Sequence, residues 1–348
     1  MDISPLTYKC EKSIQVYKES VSFIEKKDLK EKISKLFWAY YDIESVIPET
    51  IDSFWSGHIF PWKDSWEELQ ISFNLCLFGL YKQAMVSLRV SLELGLLSVY
   101  WNLNDDGHII IKEWLRSDKD TPRNREIWGK LEQYKNIQAF QKKHDLKSRI
   151  LKLGFLHNFA HSKGHSYSNE IGLFKSNCQT FEVGGFNMWF STFEEIVKVL
   201  SVLHLIKYPL GVIKFDYFRK FGIDTPSFGG LDRFQIERFK DIIGKKVFAV
   251  LESIAKNDQH VKKIMKDIKR LPDMTKEKIE KQVIDLDKEM IKGPGFKKWF
   301  ENEKNLLKKM RGNEKKRIQN RIKYLKDWAK KNRYMEPAWQ RRKILIKK

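Results

Sequence analysis

The stretch that decides the fold is Ile71-Ser-Phe-Asn-Leu-Cys-Leu-Phe-Gly-Leu-Tyr-Lys-Gln-Ala-Met-Val-Ser-Leu-Arg-Val-Ser-Leu-Glu-Leu-Gly-Leu-Leu-Ser-Val-Tyr-Trp101. Wound as a helix it is apolar on nearly every side, which predicts a central helix buried by its neighbours. Ser65-Trp-Glu-Glu68 just ahead of it has the form of a capping box, with Ser65 accepting from an early amide and Glu68 reaching back. Gly79 and Gly95 are the places where the helix can bend or admit a close neighbour. Arg89 and Glu93 stand one turn apart inside this apolar run. Two such charges are expected to pair, because an isolated buried charge is very costly. The pair can simply fix helix packing, or Glu93 can orient Arg89 toward a site. Lys82, Arg89 and Glu93 also interrupt the run, so no uncharged stretch approaches the ~20 residues of a membrane span.

Outward from this segment the pattern stays helical. Residues 11–45 carry Ile14, Tyr17, Val21 and Ile24, then Ile33, Leu36, Phe37 and Tyr40, at three- and four-residue spacing, until Pro48. Residues 49–64 read as irregular. Asn102 to Gly107 is turn chemistry, and residues 108–117 and 124–142 read as helices parted by Thr121-Pro122. Asp145 is the expected N-cap of a helix with Leu146, Ile150, Leu153, Leu156 and Ala160 on one stripe, and Lys163-Gly164 its last turn and cap. Residues 165–187 are polar and allow one small β-hairpin, Ile171–Phe174 with Thr180–Val183. Residues 188–213 return to an apolar helix that Pro209 ends. Gly222 to Gly230 is a connector. Helical spacing resumes at Phe248, Leu251 and Ile254, continues through Val261, Ile264, Met265 and Ile268, and after Pro272 covers 276–290. Beyond Gly293-Pro-Gly295, two amphipathic helices flank a turn at Gly312-Asn313 and lead into Arg341-Arg-Lys-Ile-Leu-Ile-Lys-Lys348. These breaks predict a mostly α-helical bundle over 1–218, a middle helical segment over 219–292, and a basic helical module over 293–348.

Hydrophobic residues make up 42% and aromatics 13% of the 348 residues, which excludes disorder over most of the chain. The net charge of +21 is unevenly placed. Residues 241–348 hold 33 Lys and Arg against 15 Asp and Glu, whereas the first 240 hold 33 against 30. That asymmetry points to an anionic partner for the C-terminal third, nucleic acid first and an anionic membrane surface second. Cys10, Cys76 and Cys178 are distant and odd in number, with no Cys-x-x-Cys, which fits neither a disulfide framework nor a cysteine zinc site. No signal peptide is visible at Met-Asp-Ile-Ser-Pro. A cytoplasmic protein without a cofactor is the simplest expectation.

Leu153-Gly-Phe-Leu-His-Asn-Phe-Ala-His-Ser-Lys-Gly-His165 gathers three of the eight histidines. His157 and His161 fall one turn apart on one helical face, with Asn158, Ser162 and Lys163 beside them. Metal binding is one reading. Asn158, however, occupies the place of the general-base Glu in His-Glu-x-x-His enzymes, and Gly164 puts His165 past the helix end. A second reading is metal-independent RNA cleavage: a histidine moves the ribose or leaving-group proton, and Arg89, Arg149 or Lys163 steadies the charge on phosphorus. A third is histidines that merely cap carbonyls or bond within a core.

The succession of Leu88-Arg-Val-Ser-Leu-Glu-Leu-Gly95, a linker with Trp114 and Thr121-Pro122, and Leu156-His-Asn-Phe-Ala-His-Ser-Lys-Gly164 resembles the HEPN-type helical domains of prokaryotic defence, abortive-infection and toxin proteins, over roughly residues 10–215. The resemblance implies a helical bundle, and cleavage of RNA by an Arg and a His, usually across a dimer interface. His161 matches that His, and His157 the polar residue of the motif. Leu156 stands where the Arg belongs, so the resemblance implies either a non-cleaving branch or Arg89 acting from the neighbouring helix. The C-terminal module has the electrostatics of a phosphate-binding surface. Lys315, Lys316, Arg317, Arg321, Lys323, Lys326, Arg341 and Arg342, with Lys163 of the histidine segment, are the expected phosphate contacts. Among its aromatics, Trp299 and Trp328 have core spacing; Tyr334 and Trp339, past the last helix, are expected to stack on bases. The sequence thus predicts an RNA-binding protein of defence or toxin type that can act as an endoribonuclease through His161. The rival is a non-catalytic helical scaffold whose basic tail docks an acidic partner or a membrane surface.

Overall fold

The computed structural model describes residues 10–47, 59–104, 109–161, 163–168, 172–175, 180–215, 217–222 and 229–335. The chain is all-α, and no strand occurs among the described residues. It divides into two compact units, Met1–Phe215 with Thr225–Ile268, and Asp216–Asp224 with Lys269–Lys348. The segment read as a middle part is therefore shared between them.

The first unit opens with α1 (Cys10–Lys26) and α2 (Lys30–Tyr41), followed by a 3-10 turn, Asp42–Val46. The long apolar segment then forms two helices rather than one, α3 (Ile59–Leu77) and α4 (Tyr81–Asn104). Gly79 makes the break. It sits at φ 72°, where a side chain is strained, and a Cβ there would lie 2.9 Å from the Thr180 carbonyl. Its amide bonds the Cys76 carbonyl at 3.0 Å, and the Leu80 amide bonds that of Leu75 at 2.9 Å. This is a Schellman cap, which satisfies the carbonyls at the end of α3.

The two helices run antiparallel. Ser65 Oγ donates to the Ser91 carbonyl at 2.6 Å, Ser91 Oγ to that of Ser65 at 3.0 Å, and Ser72 Oγ to that of Ala84 at 2.7 Å. The Ser65 capping box is thereby corrected. α3 starts six residues earlier, with Pro61 in a first turn whose amides lack helical partners anyway, and Ser65 is spent inside the interface. Over Tyr81–Trp101, α4 is long and apolar enough to cross a membrane, yet 67% of that window is buried in the fold. Two-thirds burial marks it as the core helix the sequence predicts.

Short helices follow: α5 (Ile109–Leu115), α6 (Asn124–Leu131), α7 (Lys135–Gln141), α8 (Leu146–Lys152), and, after a 3-10 turn, α9 (His157–Ala160). α10 (Val183–Lys207) is the most buried helix, and Gly95 of α4 lets it approach. A Cβ on Gly95 would lie 2.5 Å from a Leu200 methyl, too close for ordinary contact. The expected hairpin does not form: Leu173 and Phe174 lie in a turn, and Val183 already opens α10. The apolar demand of α10 extends its helix back through Gly184 and Gly185, where Gly185 packs against Tyr81. Each fully buried Leu, Ile or Phe on such a helix contributes about 2 kcal/mol before entropic costs.

α12 (Arg233–Ile243) and α13 (Lys245–Asn257) complete this unit, and α14 (Gln259–Arg270) ends at its boundary. α12 carries a capping box, Asp232 with Gln235, and its Arg238 pairs with the buried Asp42.

The second unit joins α11 (Tyr217–Phe221) to α15 (Lys276–Lys292), α16 (Phe296–Lys309) and α17 (Gly312–Lys331). Its core is small: Ile291, Trp299, Ile322, Leu325 and Ala329. Asp273 holds Arg219 at 2.6 Å and Lys220 at 2.7 Å, which ties α11 in. The turn expected at Gly312-Asn313 lies at Met310-Arg311, and Gly312 begins α17.

Candidate functional site

The histidine segment is set by capping and by one stripe. Asp145 accepts from the Ser148 amide at 3.0 Å, as the sequence predicts, and Gln141 Oε1 accepts from the Leu146 amide at 2.6 Å. Leu146, Ile150, Leu153, Leu156 and Phe159 are buried, which turns the opposite face of the segment outward. Helix ends at Ala160, earlier than Lys163-Gly164, and the Lys163 amide returns to the Asn158 carbonyl at 3.0 Å.

This geometry brings His157 to α4. Arg89 Nε donates to His157 Nδ1 at 3.1 Å, and Arg89 Nη2 stands 3.0 Å from Glu93 Oε1. Glu93 Oε1 is 4.0 Å from His157 Nε2. A guanidinium only donates, so Nδ1 is the unprotonated nitrogen, and the neutral ring carries its proton on Nε2. The three side chains are each a quarter to two-fifths exposed and form one wall of a cleft of about 630 Å³. Leu92, Trp128 and Ile150 give the cleft apolar walls, and Arg125 and Lys147 add cations. Arg89 is thus paired and also open to a ligand, with donors to spare beyond the two in use.

The other expected residues fall elsewhere. The His161 ring lies roughly parallel to His157, 6.4 Å between centroids and 13° between planes, but is exposed and outside the cleft lining. Asn158 turns to Tyr167, donating from Nδ2 to its hydroxyl at 2.9 Å, and so does not join the Arg89 cluster. Lys163 is exposed on the following turn, and Ser162 lies outside the described residues. Arg149 is corrected as a candidate cation: Glu195 holds it at 2.6 and 2.9 Å. Among the described residues no three His, Cys, Asp or Glu side chains are grouped to hold a metal ion.

The basic candidates of the second unit separate into two sets. Arg321 is internal, with Nε 3.2 Å from Asp287 Oδ2 and Nη2 2.5 Å from Glu303 Oε2, while Trp299 Nε1 donates to Asp287 Oδ1 at 2.9 Å. Burial, ahead of these opposing contacts, raises the Asp287 carboxyl above its usual range. Arg321 is therefore corrected from a phosphate contact to a packing element. Tyr334 is corrected too: it stacks on Trp328 with centroids 5.2 Å apart, against its own unit's core. Arg317 is exposed but paired with Glu280 at 3.0 Å.

Lys315, Lys316, Lys323 and Lys326 point outward from α17, with no ion pair among the described residues. Lys330, absent from the expected set, joins them: Lys316, Lys323 and Lys330 are seven apart, on one face, about 10 Å from one to the next along the axis. That spacing was the available signal. Trp339, Arg341 and Arg342 lie outside the described residues. No protein family, characterised protein or solved structure matches the chain.

Proposed function

We propose that this protein binds RNA, with the lysine row of α17 on the phosphates. The carrying observation is that Lys316, Lys323 and Lys330 share one exposed face without carboxylate partners among the described residues, while the acids Asp287 and Glu303 are turned inward onto Arg321. Outward cations and inward anions are what a polyanion-binding surface requires. Exposed Asp327 lies between Lys323 and Lys330 on this helix, with no ion pair among the described residues, so the row keeps a net positive charge.

A specific contact supports a second step, metal-independent cleavage. In the HEPN-type reading Leu156 leaves the motif without its Arg, and Arg89 Nε at 3.1 Å from His157 supplies a guanidinium from the neighbouring helix. In this reading His161, exposed, takes the ribose 2′-OH proton, and that oxygen attacks the adjacent phosphorus. Arg89 neutralises the charge that develops on the phosphoryl oxygens, His157 holds the guanidinium in place, and solvent protonates the departing 5′ oxygen. The products are a 2′,3′-cyclic phosphate and a 5′-hydroxyl end. A role in defence or toxicity rests on the same resemblance.

Binding is tested with labelled RNA and the full chain at low salt; negligible affinity there contradicts the proposal. Cleavage is tested in EDTA. We expect cyclic-phosphate ends, and a loss of about 100-fold or more in His161→Ala and Arg89→Ala. Activity equal to wild type in these variants removes them from the mechanism, and absence of cleavage by the wild type leaves binding as the function.

A further inference from the structure

Beside the lysine row, the second unit carries an apolar groove of about 520 Å³ between α15 and α17, walled by Phe218, Val283, Ile284, Met310 and Ile318. Tyr324 lines it and is 49% exposed. Lys288 Nζ stands 6.0 Å from the Tyr324 ring centroid, at the outer edge of cation–π range. At the lip are Asn320 and the Arg317–Glu280 pair, both members of which are more than half exposed and so only weakly bound to each other.

Tyr324 stands one residue after Lys323 and eight after Lys316 on α17, so the groove and the lysine row lie side by side on one helix. An exposed tyrosine in an apolar slot, next to cations spaced along the helix, is the combination that receives an unstacked base while its phosphates are held outside. A duplex keeps its bases stacked and offers such a slot nothing.

We propose that this groove takes one unpaired base of a single RNA strand, stacked on Tyr324, with Asn320 and Arg317 available to its polar edge and the flanking phosphates on Lys316 and Lys323. The inference rests on the RNA-binding reading above and makes it specific: the substrate is single-stranded.

The test uses the full chain, a short oligoadenylate carrying one fluorescent adenine analogue, and an RNA duplex of the same length. Wild type should bind the single strand more tightly and quench the analogue. Tyr324→Ala should weaken single-strand binding about ten-fold and abolish quenching while leaving duplex affinity unchanged. Tyr324→Phe, which keeps the ring, should behave as wild type. Equal affinity for both RNAs with no effect of Tyr324→Ala overturns this inference and leaves RNA binding standing. Absence of binding to either RNA overturns both. If polyglutamate displaces the strand and its own binding needs Tyr324, the groove belongs to an acidic protein segment and the inference falls.

Discussion

In the first unit most of the polar groups buried inside are neutral, Ser65, Ser72, Ser91, Ser98 and His204 among them, with Asp42 on Arg238 a charged exception. In the second they are charged, Asp287 and Glu303 around Arg321. The difference follows from size and charge. The first unit has a large apolar core, and its close helices α3 and α4 spend small hydroxyls on each other's carbonyls, while α10 meets the Ser72 hydroxyl through the Trp189 indole. The second has few apolar side chains and many cations. It turns Asp287 and Glu303 inside onto Arg321, pairs exposed acids such as Asp273, Glu280 and Glu289 with surface cations, and leaves the lysines of α17 to the solvent. The comparison teaches that the excess positive charge of this chain is displayed rather than neutralised.

The largest expected effect tests the charged interior. Arg321→Ala leaves Asp287 and Glu303 facing each other in the second unit, and should destabilise that unit by about 3–5 kcal/mol. Hydrogen exchange should show α15–α17 opening while α3, α4 and α10 keep their protection. Loss of protection in both units together would break the comparison.

The neutral interior has its own signature in pH. Burial drives the His204 imidazole down to about 4, against the backbone bond its Nδ1 makes with the Leu200 carbonyl at 2.8 Å. The unfolded chain therefore binds the extra proton first as pH falls below about 6.5, so stability is full above that value and is lost on the way to about 4. At pH 4.5 the loss from this group is about 2–3 kcal/mol. His204→Gln should flatten the urea-unfolding profile of the first unit over this window, and an unchanged profile would show that another group dominates it.

A smaller effect comes from the serine seam. Ser91→Ala removes the donor to the Ser65 carbonyl and should cost about 1 kcal/mol, with no change in RNA affinity.

Much of this was legible in the sequence. The burial of Tyr81–Trp101, the Asp145 cap, the Arg89–Glu93 pair and the core places of Trp299 and Trp328 follow from spacing and cost. The break at Gly79 was not decided, because a glycine in an apolar run fits both a close approach and a Schellman cap; only the chain folding back onto Thr180 and Val16 selects the second. Ser65 misled because a hydroxyl that can cap a helix can equally bond across to another one. The candidate site was legible as a histidine pair with Arg89 near it. That Asn158 faces Tyr167, and that Arg321 and Tyr334 are turned inward, depends on partners distant in the chain, which periodicity does not reveal.

The central claim is that displayed lysines on α17 hold a polyanion, and its most direct test is the salt dependence of RNA binding by the full chain. Replacing Lys316, Lys323 and Lys330 together by Gln should lower affinity and reduce the slope of log affinity against log salt by about 2, since each phosphate contact on a single strand contributes about 0.7. A slope unchanged in a variant that remains folded would contradict the claim.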